Sequence, residues 1–272
     1  MKKILAIFLF LFSSIIFAQD MSKEEMISYM KILVRNKDFV EKTLSSYKVE
    51  GYVKDVLRYH FIEIYKSDEL IIRMVDEMVN SRMLDENNSN SLENKLDARK
   101  FGAELSLNLT LKGFLRVDVK EMRSFLNYVD VLMNSMSYRQ CKKYLVDSSS
   151  IPALENAEIE IKAYKYFTKQ ELENYFSIIR KALFAELRNF PLQKTINVDE
   201  KKIADKAFEN EFIELARQNK ISLEVLEAMS DMNKASDKNA CEAGKILINT
   251  VLNMKGFTGD LMVKSYIISI QP

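Results

Sequence analysis

Apolar residues recur at spacings of three and four along most of this chain, which is the period of an amphipathic α-helix. Two stretches show it most clearly, one after Asp118 and one after Thr168. The first carries Met122, Phe125, Leu126, Val129, Leu132, Met133 and Met136, and the second carries Leu172, Tyr175, Phe176, Ile179, Leu183, Leu187 and Phe190. Each stretch predicts a helix that buries one face, and Pro191 ends the second.

Four helix starts are marked by a capping residue with glutamate three positions later, a pair that satisfies N–H groups of the first helical turn. These capping boxes are Ser22 with Glu25, Asp118 with Glu121, Thr168 with Glu171, and Asn197 with Glu200. Nearer the N-terminus the pattern predicts helices over 24–34, 38–49, 52–66 and 68–83, with Gly51 between the second and third. Gly113 predicts a helix end at Lys112, because glycine readily adopts the left-handed C-cap conformation.

Glycine occurs only six times and proline three times, which is typical of a helical protein rather than an all-β one. Two segments leave a strand open: 158–163 alternates polar and apolar residues, and 262–270 is rich in β-branched residues. Helical continuation is favoured in both. We therefore expect an all-α bundle of about ten helices, with a short accessory β-ribbon near the C-terminus as the alternative.

The first eighteen residues predict a secretory signal peptide. Lys2 and Lys3 precede an apolar run over 4–17, and Ala18 offers a small residue for cleavage. The run is shorter than the roughly 20 residues that a transmembrane helix needs. We expect a periplasmic or secreted protein without stable membrane insertion once the peptide is removed. Ile16, the third residue before the expected cleavage site, is larger than the residues usual at that position, so an uncleaved tether is the alternative.

The polar segment DENNSNSLEN divides the remaining chain. The expected organisation is an N-terminal helical segment over 19–84, a polar loop over 85–97 and a main helical domain over 98–272. A single domain over 19–272 is the alternative, because its length suits one large core as well as two small ones.

Without the signal peptide the chain keeps 38 of its 40 basic residues and all 39 acidic ones, so its net charge is close to −1. Nucleic acids and anionic membranes select for basic proteins, so we expect neither as a partner. Neighbouring acids such as Glu158 and Glu160 are expected on solvated helix faces beside Lys and Arg. A protein is the expected partner.

Cys141 and Cys241 are the only cysteines, and each falls on the apolar face of a predicted helix. An exported protein with two inward-facing cysteines usually pairs them, so a disulfide between them is predicted. The bond would close a loop of about 100 residues, worth up to about 4.7 kcal/mol by the chain-entropy model. Two cysteines and one histidine do not complete a tetrahedral metal site, so no metal is expected.

His60 is the only histidine, and Glu63 follows one helical turn later. The spacing allows a hydrogen bond, so the two residues are a candidate hydrogen-bonded or pH-sensing pair. A metal or general-base site would need further ligands or a positioned nucleophile, and no sequence motif indicates either. The chain also lacks a nucleophile elbow, a zinc-protease motif, a P-loop and a dinucleotide-binding motif. No catalytic residue and no cofactor is expected.

These features favour an exported, non-enzymatic helical protein that acts by binding another protein, as a chaperone, adaptor or inhibitor. An alternative is a carrier whose Met-, Phe- and Tyr-rich interior leaves a cavity for an apolar ligand. A hydrolase that uses acidic residues is the least favoured alternative, because it rests only on the supply of carboxylates.

Overall fold

The computed structural model describes residues 21–46, 48–80, 105–146 and 153–271, and all regular secondary structure in these ranges is helical. The thirteen described helices are α1 (Lys23–Arg35), α2 (Lys37–Ser46), α3 (Gly51–Tyr65), α4 (Asp68–Asn80), α5 (105–114), α6 (Val119–Ser135), α7 (Tyr138–Val146), α8 (Ala153–Tyr164), α9 (Lys169–Leu187), α10 (Val198–Gln218), α11 (Leu223–Ser230), α12 (Asp237–Asn253) and α13 (Gly256–Ser269). The all-α prediction is confirmed, with more helices than the ten expected.

All four predicted capping boxes are present and begin α1, α6, α9 and α10. In each box the capping side chain accepts a hydrogen bond from the glutamate N–H, and the glutamate carboxylate accepts one from the capping residue's N–H. A cap of this kind contributes about 1 kcal/mol. The helix starts were predictable because both partners lie within four residues of sequence.

The alternative of a short β-ribbon near the C-terminus is wrong, since the described part of the chain contains no strand, and the favoured helical continuation is confirmed in both segments. Residues 158–163 lie in α8, and 262–269 lie in α13. Helix α13 packs against α6, α10 and α12. Its apolar side chains are therefore buried on more than one side, which removes the one-sided period of a surface helix and leaves a sequence that resembles a strand.

The N-terminal helices lie close to their predicted bounds, and Gly51 begins α3 with a φ of 61°. The signal peptide and the polar loop over 85–97 lie outside the described residues, so both remain predictions. The division into two domains also stays a prediction. Within the described chain, one buried apolar cluster extends from Met26 in α1 to Ile270 just beyond α13.

Aromatic side chains form the centre of this cluster. Phe125 of α6 lies 4.2 Å from Phe114 of α5 and 6.2 Å from Tyr175 of α9, measured between ring centroids. Tyr175 also lies 6.1 Å from Tyr164 of α8. Helix α6 packs against α8, α9, α12 and α13, and α9 packs against α3 as well as α6.

Gly113 serves a purpose different from the predicted one. The helix continues through it to residue 114, so the expected end at Lys112 is wrong. A Cβ atom added to Gly113 would lie 1.8 Å from the carbonyl oxygen of Ala182. Glycine is required because α5 and α9 approach backbone to backbone, not because the helix ends there.

Candidate binding site

The predicted disulfide is present. Cys141 of α7 and Cys241 of α12 are bonded, with their Cα atoms 5.4 Å apart. Close packing supports the contact between the two helices, because a Cβ on Gly244 would meet the side chain of Leu145 at 2.2 Å. The bond therefore ties the middle of the chain to the helix that precedes α13.

His60 lies on α3 and is fully buried. Its Nδ1 atom is 3.2 Å from Nη1 of Arg180 in α9, and its ring is 4.4 Å from the ring of Phe176. Because arginine only donates hydrogen bonds, Nδ1 must accept, and the ring proton is assigned to Nε2. Burial and the adjacent Arg180 charge hold the pKa of His60 well below its ordinary value.

Glu63, the expected partner of His60, accepts a hydrogen bond from Lys66. Partial burial lowers the pKa of Arg180, and the charges of the nearby Tyr59 and Glu63 side chains oppose this. The Cζ atom of Arg180 lies 5.1 Å from the ring centroid of Tyr59. The structure thus places Arg180 beside both residues of the predicted pair. Whether His60 and Glu63 act as a pH sensor stays a prediction.

A surface pocket lies where the start of α6 meets the end of α9, and we call it the Arg116 pocket. Its volume is about 480 Å³, within the usual range for ligand pockets. It is lined by Arg116, Val117, Asp118, Lys181, Phe184, Ala185, Arg188, Phe190, Pro191 and Lys194. Four of these residues are basic and one is acidic, and the others are apolar.

Arg116 fixes the base of the pocket. Its Nε donates to Glu186 at 2.7 Å, Nη1 donates to the carbonyl of Pro191 at 2.8 Å, and Nη2 donates to the side chain of Asn189. The side chain of Arg116 is almost completely buried. A buried charge satisfied on three sides fixes its partners in place, and breaking such an ion pair costs about 3–5 kcal/mol.

Lys194 also bonds to the turn before α6. Its backbone N–H donates to the carbonyl of Leu115 at 2.7 Å, and its Nζ donates to the carbonyl of Val117 at 2.6 Å. Residues 188–194 have no helix of their own, yet they are bonded at both ends to the turn before α6. The backbone of residues 188–194, which forms one wall of the pocket, is therefore held in place before any partner binds. We call these residues the 188–194 segment.

Two large apolar side chains project from this segment into solvent. Phe190 is 74% exposed and Leu192 is 85% exposed. Lys181 and Arg188 stand beside them, each more than half exposed, and each forms a surface ion pair, with Glu121 and Glu69 respectively. Arg188 also lies over the ring of Phe184, with its Cζ atom 5.6 Å from the centroid. The surface thus combines apolar contact area with exposed positive charge.

The acidic and metal-ligating groups near the pocket are few. Among the described residues no three His, Cys, Asp or Glu side chains are grouped so that they could hold a metal ion. The single carboxylate of the pocket, Asp118, is committed to capping α6. An apolar group would match the lining of the pocket, and a carboxylate beside it would compete with Glu121 and Glu69 for Lys181 and Arg188.

Sequence reasoning missed the Arg116 pocket. Arg116 and Pro191 are about 75 residues apart, and no periodic pattern connects them. The sequence pattern also placed Phe190 on the buried face of the second helix, and this was wrong, because α9 ends at Leu187 and Phe190 is exposed.

None of the described helices is both long and apolar enough to span a bilayer. No protein-family model, no curated protein and no solved structure matches the chain significantly. Inference about its function therefore rests on its own residues.

Proposed function

We propose that the protein is exported to an oxidising compartment and acts, without catalysis, by binding a segment of another protein in the Arg116 pocket. A chaperone, adaptor or inhibitor would use a site of this kind. The signal peptide expected from the sequence and the Cys141–Cys241 bond support the compartment.

The observation that carries the proposal is the exposure of Phe190 and Leu192 on a segment whose backbone is held by Arg116 and Lys194. Large apolar side chains on the surface are common, but adjoining ones beside a pocket are typical of interaction sites. A surface that is already fixed loses little conformational entropy when a partner binds. The rigid segment is therefore suited to a stable contact.

Charge complementarity selects the occupant. Lys181 and Arg188 flank the apolar surface, and their exposed ion pairs within the protein are weak enough for an incoming carboxylate to replace. The bound segment should therefore present an aromatic or leucine side chain with Asp or Glu nearby. The 480 Å³ volume accommodates one large side chain and part of its backbone. We commit to an acidic, amphipathic protein segment rather than to a lipid.

Site-specific cross-linking in the exporting cell tests this function. A photoreactive amino acid replaces Leu192, and a control carries it at Lys238, an exposed residue outside the pocket. We expect one dominant protein product at position 192, absent at 238, whose cross-linked peptide contains an apolar residue flanked by acids. Equal patterns at both positions would contradict the proposal, and a cross-linked lipid would favour a carrier instead.

A further inference from the structure

Helix α10 presents one complete face to solvent. Its opposite side packs against α12 and α13, with Ala204 buried and Phe208 in contact with the buried apolar cluster. Along the outer side, exposed residues recur at alternating spacings of four and three, which is the heptad spacing of a helix that pairs with another helix. We call them the α10 face, and they are Asp199, Ile203, Lys206, Asn210, Ile213 and Arg217.

The α10 face contains apolar side chains where a second helix would bury them. Ile203 and Ile213 are each 46% exposed, and they lie about 15 Å apart along the helix axis. Single exposed apolar residues are common on protein surfaces. Two isoleucines at heptad positions of one helix are instead typical of a helix–helix interface, and the charged residues around them identify the partner.

The α10 face is complementary to itself about its midpoint, at the level of Phe208. Residues at equal distances before and after this level form three sets: Ile203 with Ile213, Asp199 with Arg217, and Lys206 with Asn210. When two copies of a helix pack antiparallel about a two-fold axis, residues related in this way face each other. Isoleucine then meets isoleucine, a carboxylate meets a guanidinium, and an ammonium meets an amide oxygen.

The same charges disfavour a parallel pair of α10 helices. In a parallel pair each residue would face its own copy, so that Lys206 would meet Lys206 and Arg217 would meet Arg217. Opposed like charges destabilise an interface. The charge pattern therefore favours an antiparallel arrangement, with a second copy of this chain as the occupant of the face.

The ion pair that the α10 face makes within one chain is weak enough to be exchanged. Lys202 lies 3.6 Å from the carboxylate of Asp199, and their side chains are 74% and 88% exposed. Exposed ion pairs of this kind contribute little to stability. Asp199 can therefore accept from Arg217 of a second copy without a large loss.

We propose that the protein forms a homodimer in which the α10 helices of two copies pack antiparallel about a two-fold axis at the level of Phe208. The helix has 21 residues and is about 31 Å long. One pair of such helices lies at or below the lower end of the about 1,200–2,000 Å² that specific interfaces bury, so the dimer should dissociate at micromolar concentrations. No residue of the α10 face lines the Arg116 pocket, so the dimer and the proposed function are tested independently.

Sedimentation equilibrium of the purified mature protein at micromolar concentrations measures the dissociation constant of the dimer. Ile203→Gln removes an apolar side chain from the interface, and Ile32→Gln, at a 74% exposed isoleucine of α1, is the matched control. Each substitution acts twice in a two-fold dimer. We expect the dissociation constant to rise at least about tenfold for Ile203→Gln and to stay unchanged for the control. A wild type that stays monomeric up to near-millimolar concentration, or equal effects of both substitutions, would overturn the proposal.

A charge exchange tests the antiparallel arrangement itself. Asp199→Arg places two arginines opposite each other at both ends of the interface, so the dissociation constant should rise about fivefold. Adding Arg217→Asp restores the opposite charges and should return the constant to within about twofold of wild type. The two positions are about 27 Å apart along one helix, which exceeds the screening length, so this recovery requires a second copy.

Far-ultraviolet circular dichroism of the dilute proteins checks that each charge variant keeps its helical content. A folded double variant that dimerises as weakly as Asp199→Arg alone would contradict the antiparallel pairing. If a charge variant loses helix, the uncharged Ile203→Gln and Ile32→Gln pair still decides whether α10 is the interface.

Discussion

Replacing His60 with glutamine should weaken the dependence of stability on pH. The folded protein keeps His60 neutral, because burial and the Arg180 guanidinium lower its pKa well below the ordinary value. The unfolded chain has no such restraint, and its histidine takes up a proton with a pKa of about 6.5. Below that pH the unfolded state binds one more proton than the folded state, so acid favours unfolding.

The size of the effect follows from this one proton. Each pH unit below about 6.5 lowers the wild-type free energy of unfolding by about 1.4 kcal/mol, until the folded-state pKa of His60 is reached. Between pH 7.5 and pH 5 the loss due to His60 amounts to about 2 kcal/mol. A His60→Gln variant titrates in neither state and lacks this loss, while its amide oxygen can still accept from Arg180.

Glu160 makes the stability depend on pH in the opposite direction, so its effect must be distinguished from that of His60. Its pKa is raised in the folded state, so its unfolded carboxyl loses a proton first and stability falls as pH rises above about 4.5. The two slopes oppose each other between pH 4.5 and 6.5, and the wild-type curve alone does not resolve them. The difference between wild type and His60→Gln cancels Glu160 and all other shared groups.

Urea unfolding followed by circular dichroism measures this difference at pH 7.5, 6.5, 5.5 and 5.0. Far-ultraviolet dichroism suits an all-helical protein that contains no tryptophan. We expect the free energy of unfolding of the variant, relative to wild type, to rise by about 2 kcal/mol from pH 7.5 to pH 5. Parallel curves over this range would refute the reasoning and would also remove His60 as a pH sensor.

Two further perturbations have clear expected outcomes. Replacing Cys141 and Cys241 with serine should lower the free energy of unfolding by up to about 4.7 kcal/mol, measured with a denaturant. Mature protein from the exporting cell, denatured without reductant, should show no reactive thiol. Two reactive thiols would refute both the bond and the compartment. Gly113→Ala should destabilise the fold by more than about 3 kcal/mol, because its Cβ would enter the backbone of Ala182, whereas Lys112→Ala on the exposed side of the same helix should change stability by less than about 0.5 kcal/mol.

Local interactions were predictable from the sequence, and interactions between distant residues were not. The capping boxes depend on two residues three positions apart, so their patterns alone located the starts of α1, α6, α9 and α10. The disulfide was predictable for a different reason, since only one pairing of Cys141 and Cys241 exists within a single chain.

Burial by a distant partner explains the failures. Gly113 resembles a helix C-cap in sequence, but its role is set by Ala182 on another helix. Glu160 alternates with apolar neighbours and was expected on a solvated face, yet it is fully buried, with its carboxylate bonded to the Tyr164 hydroxyl. The Arg116 pocket likewise forms only when the chain brings Pro191 to the turn before α6. Such contacts are fixed by packing of the whole bundle, which no short pattern records.

Charge reversal at the pocket tests the central claim most directly. The affinity of the peptide identified by cross-linking at Leu192 is measured for three proteins, at low and at physiological salt. They are the wild type, the double variant Lys181→Glu/Arg188→Glu, and the control Lys238→Glu. The account predicts that the double variant loses at least about tenfold in affinity, that the control loses none, and that salt weakens only the wild-type and control complexes. Equal affinity for all three proteins would contradict the claim that this pocket is where the protein binds its partner.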